Sequence, residues 1–196
     1  AAEAGFDPVL LDLDPQASAA SWSDSRSAES PHVAAAQAAR LPVILEAAKA
    51  QGCRLAVLDT APNADGAALA AARASDLVLI PCRPSALDLR AIVASLRVAK
   101  ELASKPAYVV INGATARSRL TQGAADALRG YGAQVCPVTL CQRQDFVEPM
   151  AGGLTATEWA PKGKAAQEMR QLWEWSAKQM GLKLPRQRPA AAKVAA

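Results

Sequence analysis

Three carboxylates end two apolar runs of the sequence, and their type and spacing could do chemistry. Asp12 and Asp14 lie near the end of V-L-L-D-L-D-P-Q at residues 9–16, and Asp59 ends L-A-V-L-D at residues 55–59. The first run is apolar at consecutive positions, which predicts a parallel strand covered by helices on both faces. Such strands end at the ligand-binding edge of an open α/β sheet. Acids gathered there suit Mg²⁺, which takes oxygen ligands and keeps most of its waters while bridging phosphates.

The remaining sequence alternates strands and helices in the way that would position these acids. Further strands are predicted at residues 77–80, 107–111 and 135–140, and helices at residues 41–51, 63–74, 86–103, 121–131 and 165–180. The third strand is expected to stop at Pro81, and the serine-rich residues 18–31 predict a helix start followed by a mobile surface loop. We therefore expect an α/β fold with a mostly parallel sheet and helices on both faces.

The charge of the chain is concentrated at its end. The formal net charge is +4 over 196 residues, and no acid follows Glu174. Five cations do follow it: Lys178, Lys183, Arg186, Arg188 and Lys193. We predict one domain over residues 1–183 and a basic, disordered tail over residues 184–196. Such a tail is either simply solvated or holds a phosphate backbone by counterion release.

The cysteine pattern is typical of a reducing compartment. Cys53, Cys82, Cys136 and Cys141 show no C-x-x-C spacing, so free thiols are expected rather than a disulfide framework or a metal site. The sequence has no signal peptide and no apolar run of the roughly 18 residues that a membrane span needs. These features predict a cytoplasmic protein without a membrane partner.

An ordered series of motifs resembles the ParA family of partition ATPases, which are deviant Walker-type P-loop proteins related to MinD. The series comprises D-L-D-P-Q at residues 12–16, V-L-D-T-A-P at 57–62, L-V-L-I-P-C-R-P-S at 77–85, V-V-I-N at 109–112 and L-C-Q-R at 140–143. It continues to a helix start at Ala165-Ala166, so the resemblance covers most of the chain. The order of the motifs is more specific than any one of them.

The resemblance implies a role for each acid. ATP and Mg²⁺ would lie across the strand ends of a homodimer, with Asp14 positioning or activating the attacking water and Asp12 nearby in the magnesium shell. Asp59 matches the Walker B acid that holds Mg²⁺ through water. Asn112 matches an adenine-binding asparagine, although an asparagine before Gly113 is also typical of a turn. Asp12 or Asp14 alone could instead cap a helix.

The resemblance also implies partners. An ATP-bound homodimer would bind non-specific DNA in a nucleoid-associated cycle and leave it after hydrolysis stimulated by a ParB-like protein. Candidate DNA contacts are Arg117, Arg119, Lys183, Arg186 and Arg188. Arg143 matches a family arginine, and a surface ion pair is an equal alternative for it.

One departure from the family pattern changes these expectations. The 196 residues contain no G-x-x-x-x-G-K-[ST], whereas the resemblance implies a strand and a K-G-G-x-G-K-T-type loop before the first residue. We interpret the chain as an N-terminally truncated copy or fragment, inactive as an ATPase and poorly soluble because apolar sheet edges would be exposed. The alternatives are a MinD-like membrane- or cargo-positioning ATPase, or a non-enzymatic interaction module that has lost the loop.

Overall fold

Strands and helices alternate along the chain in the computed structural model, which describes residues 1–62 and 66–183. The strands are β1 (Pro8–Asp12), β2 (His32–Ala35), β3 (Leu55–Asp59), β4 (Val78–Cys82), β5 (Ala107–Ile111) and β6 (Gln134–Val135). The helices are α1 (Ser18–Asp24), α2 (Leu41–Ala50), α3 (Gly66–Ala74), α4 (Ala86–Arg97), α5 (Arg119–Gly130), α6 (Ala156–Trp159) and α7 (Lys164–Gln179). The tail predicted at residues 184–196 lies outside the described residues.

All strand pairs are parallel, so the predicted α/β class is confirmed. The strands form two sheets of three, in the orders β2-β1-β3 and β4-β5-β6. β3 and β4 follow each other in the chain through α3, yet they are not hydrogen-bonded to each other. The single sheet expected from the sequence is therefore divided into two half-sheets at this point.

Each half-sheet has its own apolar core, because burial of apolar side chains drives the packing of a sheet against helices. The first core joins Leu11 and Leu13 of the β1 region to Leu41 of α2 and Ala71 of α3. The second core is larger and surrounds Val109 in the middle of β5, which is completely buried. Each half-sheet therefore packs around its own cluster of buried side chains.

Helix α7 packs against both half-sheets. The Trp173 ring meets the Phe6 ring, just before β1, edge to face at 5.3 Å between centroids. The Trp175 ring meets Tyr108 of β5 in the same way at 4.8 Å. These contacts support the core-packing interpretation of this helix over a lipid-binding one. No helix within residues 1–62 and 66–183 is long and apolar enough to span a membrane.

Two sequence predictions differ from the structure at the level of elements, and one strand was not predicted. The helix start predicted at residue 18 corresponds to α1, and the unpredicted strand β2 begins after the serine-rich residues 18–31; it is short and mostly exposed. Pro81 lies inside β4 instead of stopping it, because its nitrogen faces away from β5 and no ladder bond is lost there. The strand predicted at 135–140 is reduced to β6, since Pro137 interrupts it, although the Leu140 N–H still bonds the Ile111 carbonyl.

Candidate functional site

The register of β1 and β3 aligns two of the predicted acids. Asp12 is the last residue of β1 and lies directly opposite Asp59, the last residue of β3. Asp14 follows two residues after β1, in the turn that leads to α1. Desolvation raises the pKa of Asp59 above its usual value, and the negative charges of Asp12 and Asp14 raise it further. The sequence prediction that these acids meet at one sheet edge is therefore confirmed for the described residues.

Asp12 is held by the backbone around it. Its side chain is 1 % exposed, and its two oxygens accept three N–H bonds: from Asp14 at 3.0 Å, Ala19 at 3.0 Å and Ala20 at 3.1 Å. The last two donors belong to the first turn of α1, whose N–H groups have no partners within the helix. Asp12 thus joins the end of β1 to the start of α1. It is not the N-cap residue, which is Ala17, but its carboxylate accepts the N–H groups that an N-cap side chain would accept. Its place in a magnesium shell stays a prediction.

Asp14 is more accessible than Asp12. One carboxylate oxygen accepts the Gln16 N–H at 2.9 Å, and the Asp14 carbonyl accepts the Ala17 N–H at 2.9 Å. Ala17 has a φ of 50°, a left-handed conformation that closes this turn. The second carboxylate oxygen of Asp14 accepts no hydrogen bond from the residues that the structure describes. This oxygen could accept a bond from a water molecule or a ligand.

A cavity of about 560 Å³ opens beside the β1 end of this edge. Asp12 and Asp14 line one side of it, and Ala36 and Gln37, which follow β2, line the other. Its volume lies in the range of small-molecule sites. Among the described residues its lining contains no cation, so a triphosphate here would need positive charge from elsewhere.

The three acids suit a Mg²⁺ ion that keeps most of its waters better than an ion held by protein ligands alone. Within the described part of the chain, no group of three or more His, Cys, Asp or Glu side chains is arranged to hold a metal ion. Mg²⁺ is commonly bound through one or two carboxylates together with water and phosphate oxygens. A cation would also relieve the charge repulsion that raises the pKa of Asp59. The acids therefore suit Mg²⁺ that arrives together with a phosphate ligand.

Asn112 lies at the end of the other half-sheet. Its backbone N–H donates to the Cys82 carbonyl at 2.9 Å, which places it beside the end of β4. Its side chain is exposed, and Gly113 follows with a φ of 65°. The chain bends at Gly113, and both the turn and the adenine-binding interpretations of this asparagine stay predictions.

The predicted DNA-contact residues fall in separate places. Arg117 and Arg119 are exposed at the start of α5, and Arg117 has a φ of 58°. Lys183 is exposed beyond α7. Arg186 and Arg188 lie outside the described residues. Only the first pair forms a local cluster, so DNA binding stays a prediction for all five.

Arg143 takes part in an ion pair, as one interpretation of it predicted. It donates to Glu168 of α7 from Nη2 at 2.5 Å and from Nε at 3.1 Å, and the Cys141 N–H adds a third bond at 3.0 Å. Burial alone would raise the pKa of Glu168, but the bonds from Arg143 and Cys141 outweigh it and lower that pKa. The pair connects the segment after β6 to α7.

Arg26, which was not among the predicted site residues, follows α1 and ties its end to a distant part of the chain. Its side chain is 2 % exposed, forms two bonds to Glu158 at 2.7 and 3.1 Å, and donates to the Gly153 carbonyl at 2.6 Å. Its guanidinium also lies 4.5 Å from the centre of the Trp22 ring. The spacing of four residues between Trp22 and Arg26 was the sequence signal that could have indicated their contact.

Comparisons with known proteins identify the fold. No protein-family model matches the chain, and no curated protein matches it by sequence. The cell-division ATPase MinD of Pyrococcus furiosus superposes with a TM-score of 0.60 at 18 % identity, over 74 % of this chain and 63 % of that one. The chain therefore spans less than two thirds of that relative.

In two further structures, the match covers a larger share of the neighbour's own chain. MinD in the MinC:MinD complex of Aquifex aeolicus gives a TM-score of 0.68 at 15 % identity, over 94 % of this chain and 87 % of that one. A ParA family ATPase of Chlorobium tepidum gives 0.63 at 15 % identity, over 87 % and 86 %. At such identities the likeness is one of architecture. The chain has the α/β fold of the MinD and ParA ATPases.

Proposed function

We propose that this chain belongs to a ParA-like ATPase of plasmid or chromosome partition. The observation that carries the proposal is the alignment of Asp12 with Asp59 at one sheet edge, with Asp14 near enough to raise the pKa of Asp59. An edge that concentrates negative charge in this way favours a bound cation. Mg²⁺ that arrives with a nucleoside triphosphate would be that cation. The fold shared with MinD and ParA ATPases supports the same chemistry.

Each acid has a different part in this proposal. Asp59 holds hydrated Mg²⁺, which neutralises charge on the phosphates when it is bound. Asp14 orients the attacking water through the carboxylate oxygen that has no protein donor among the described residues. Asp12 keeps the Asp14 turn and the start of α1 in place through its three N–H bonds. Catalysis by positioning suits phosphoryl transfer, in which little covalent chemistry is left to the protein.

The ATPase cycle and its partners follow from the resemblance. The proposed cycle alternates between an ATP-bound homodimer on non-specific DNA and a released form, with a ParB-like partner stimulating hydrolysis. Arg117 and Arg119 are proposed DNA contacts because both are exposed at the start of α5. DNA affinity that falls steeply with salt in a mobility-shift assay would support this role.

A MinD-like positioning ATPase is the second candidate, because MinD structures share this fold. Such a protein would bind lipid through a terminal helix. The packing of Trp173 on Phe6 and of Trp175 on Tyr108 leaves α7 poorly suited to that task. Sedimentation with anionic liposomes separates the two candidates, since only the second predicts binding to them.

Calorimetry with Mg·ATP tests the proposal. The phosphate-binding motif is missing from these 196 residues, so the comparison needs this chain and a version extended upstream through any K-G-G-x-G-K-T loop in the same reading frame. We expect binding only by the extended protein. Asp59→Ala should weaken Mg²⁺-dependent binding, Asp14→Ala should abolish turnover while binding persists, and exposed Asp126→Ala is the control. Binding by neither protein would favour a non-enzymatic interaction module.

A further inference from the structure

Helices α4 and α5 lie side by side on one face of the second half-sheet. Ile92 of α4 and Leu128 of α5 pack in the same core around Val109, and the two helices contact each other. Just beyond their ends, the Lys100 ammonium group donates a hydrogen bond to the Gly132 carbonyl at 2.7 Å. We call the surface groove between the two helices the α4–α5 groove.

The side of α5 that borders this groove follows from what lies on its opposite side. Thr121 and Gln122 of α5 line a cavity together with Thr139, which follows β6. Because the strand order is β4-β5-β6, this cavity is on the side of α5 that faces away from α4. The α5 residues on the other side, at spacings of three and four residues, are Leu120, Gly123 and Ala127.

On α4, Val93 lies on the side that faces α5. It comes seven residues before Lys100, whose side chain reaches the end of α5, and residues seven apart share a face of a helix. Arg90 lies one turn before Val93, at the outer border of the groove. Arg97 lies one turn after Val93 and pairs with Glu101 at 3.3 Å on the outer surface.

The α4–α5 groove is apolar and open. Val93 is 50 % exposed and Leu120 is 74 % exposed, although both belong to helices that pack in the core. A Cβ placed at Gly123 would meet no atom within 4 Å beyond the backbone of its own helix. The groove therefore has room for apolar side chains of another molecule.

Cations border the groove. Arg90 and Arg119 are exposed, and neither forms an ion pair with any residue that the structure describes. The acids within the two helices, Asp88 and Asp126, each bond a neighbour on or next to their own helix. The groove therefore combines exposed apolar side chains with unpaired positive charge.

These features decide which kind of molecule fits the groove. An apolar groove between two helices suits an amphipathic helix, and Asp or Glu beside the apolar face of that helix would meet Arg90 and Arg119. A second copy docked through the same surface would instead bring the same cations to it. DNA phosphates would meet the cations but leave Val93 and Leu120 uncovered. The surface therefore favours an acidic protein segment.

We propose that the α4–α5 groove binds a short amphipathic helix of a partner protein, with acidic residues beside its apolar face. The proposal does not depend on nucleotide binding. It assigns the exposure of Val93 and Leu120 to an interaction surface.

A designed peptide is the direct probe. Acetyl-D-E-L-A-E-L-L-E-A-L-A-E-E-amide places its leucines at i, i+3, i+4 and i+7 and its acids beside them. Titrated into the 196-residue chain, it should shift the backbone NMR signals of Val93, Leu120 and Gly123. The signals of Val33 and Ala35 in β2 should not move. Absence of binding at millimolar peptide, or shifts confined to other residues, would overturn the proposal.

Two altered peptides test the charge and the apolar face separately. Replacing every Asp and Glu of the peptide by Lys should weaken binding at least tenfold, because Arg90 and Arg119 would repel it. A peptide of the same composition with its leucines spread around the helix should also bind at least tenfold more weakly. Equal binding by either altered peptide would contradict the proposal. Duplex DNA that shifts the Val93 and Gly123 signals at lower concentration than the parent peptide would show a nucleic-acid surface instead.

Filling the groove gives an independent test. Gly123→Met should fold, because a Cβ has room there and glycine is a poor helix former, but it should weaken peptide binding at least tenfold. Ala47→Met, at an exposed site on α2, is the matched control and should leave binding unchanged. A concentration-dependent dimer that Gly123→Met abolishes would assign the groove to a second copy, contrary to the proposal.

Reversing the charge of the border tests the acidic character of the partner. Arg90→Glu together with Arg119→Glu should weaken peptide binding at least tenfold. Arg40→Glu together with Lys49→Glu, at exposed sites in and beside α2, changes the net charge equally and should weaken binding less than twofold. Equal losses with the two double variants, or no loss with the first, would overturn the proposal.

Discussion

At the scale of single residues, two acids of the site differ in their surroundings: Asp12 stabilises the local backbone, whereas Asp14 has a carboxylate oxygen that a ligand could reach. Asp12 is buried and accepts three backbone N–H bonds, whereas Asp14 is half-buried and accepts one at its side chain. The two residues are only two positions apart in the same motif. Their different surroundings predict different effects of the same substitution.

Asp12→Ala should destabilise the protein far more than Asp14→Ala. The first change leaves three N–H groups without their acceptor in a buried place, which costs roughly 1–3 kcal/mol or more, and the second removes one exposed bond and should cost less than about 1 kcal/mol. Urea unfolding followed by circular dichroism measures both. Equal losses of stability would contradict the structural role that we assign to Asp12.

Glu158 should make stability depend on pH. The bonds from Arg26 lower the pKa of Glu158 from 4.5 to about 2, so the carboxylate stabilises the fold above its unfolded pKa and loses that effect as the pH falls toward 2. The difference in unfolding free energy between wild type and Glu158→Gln should therefore be largest above pH 4.5 and shrink toward pH 2.

Glu101→Gln is the control for this experiment. Its partner is Arg97, and both side chains are about two thirds exposed or more, so this pair should contribute little at any pH. If the difference in unfolding free energy between wild type and Glu158→Gln stayed constant from pH 6 to about pH 2, the carboxylate of Glu158 would not be held ionised by Arg26.

The sequence predicted the acids of the site but not the residues that support them. Asp12, Asp14 and Asp59 could be found because each follows an apolar run, which is a local pattern. Arg26 could not, because its partners Glu158 and Gly153 are more than 120 positions away in the chain. A long-range ion pair leaves no periodic signal in a single sequence.

At the scale of elements, the end of α1 is fixed by a close backbone approach. Gly153 has a φ of 68°, and a Cβ placed there would lie 2.5 Å from the Ser25 carbonyl oxygen. Gly153→Ala should therefore cost about 1–3 kcal/mol, because both the conformation and the space disfavour a side chain. Gly152→Ala is the matched control, since a Cβ there meets no atom within 4 Å. Thermal unfolding of the two variants should differ clearly; similar melting temperatures would show that the approach is relaxed in solution.

Most elements were predictable because their patterns are local. The helix predicted at 165–180 corresponds to α7, and the strand predicted at 107–111 coincides with β5. β2 was missed because His32–Ala35 is short and mostly exposed, without a buried face to mark it. Pro81 misled the prediction because its effect depends on which side of β4 has a neighbour, and that is a property of the sheet.

At the scale of the whole molecule, the two half-sheets depend on helices for their connection. Within residues 1–62 and 66–183, no strand ladder joins β3 to β4. Helix α7 contacts the first half through Trp173 and Phe6 and the second through Trp175 and Tyr108. The sequence predicted five of the six strands in an α/β order, but the division between the half-sheets arises from which strands find partners.

Truncating the two tryptophans should therefore loosen different halves of the molecule. Trp173→Ala removes the ring that packs on Phe6, just before β1, and Trp175→Ala removes the ring that packs on Tyr108 of β5. We expect each to cost roughly 1–3 kcal/mol, less than truncation of a fully buried aromatic side chain. Native-state hydrogen exchange should show the larger loss of protection at Leu11 in the first variant and at Val109 in the second. If both amides lost protection equally in both variants, the half-sheets would unfold as one cooperative unit, and the contacts made by α7 would be strong enough to replace the missing ladder.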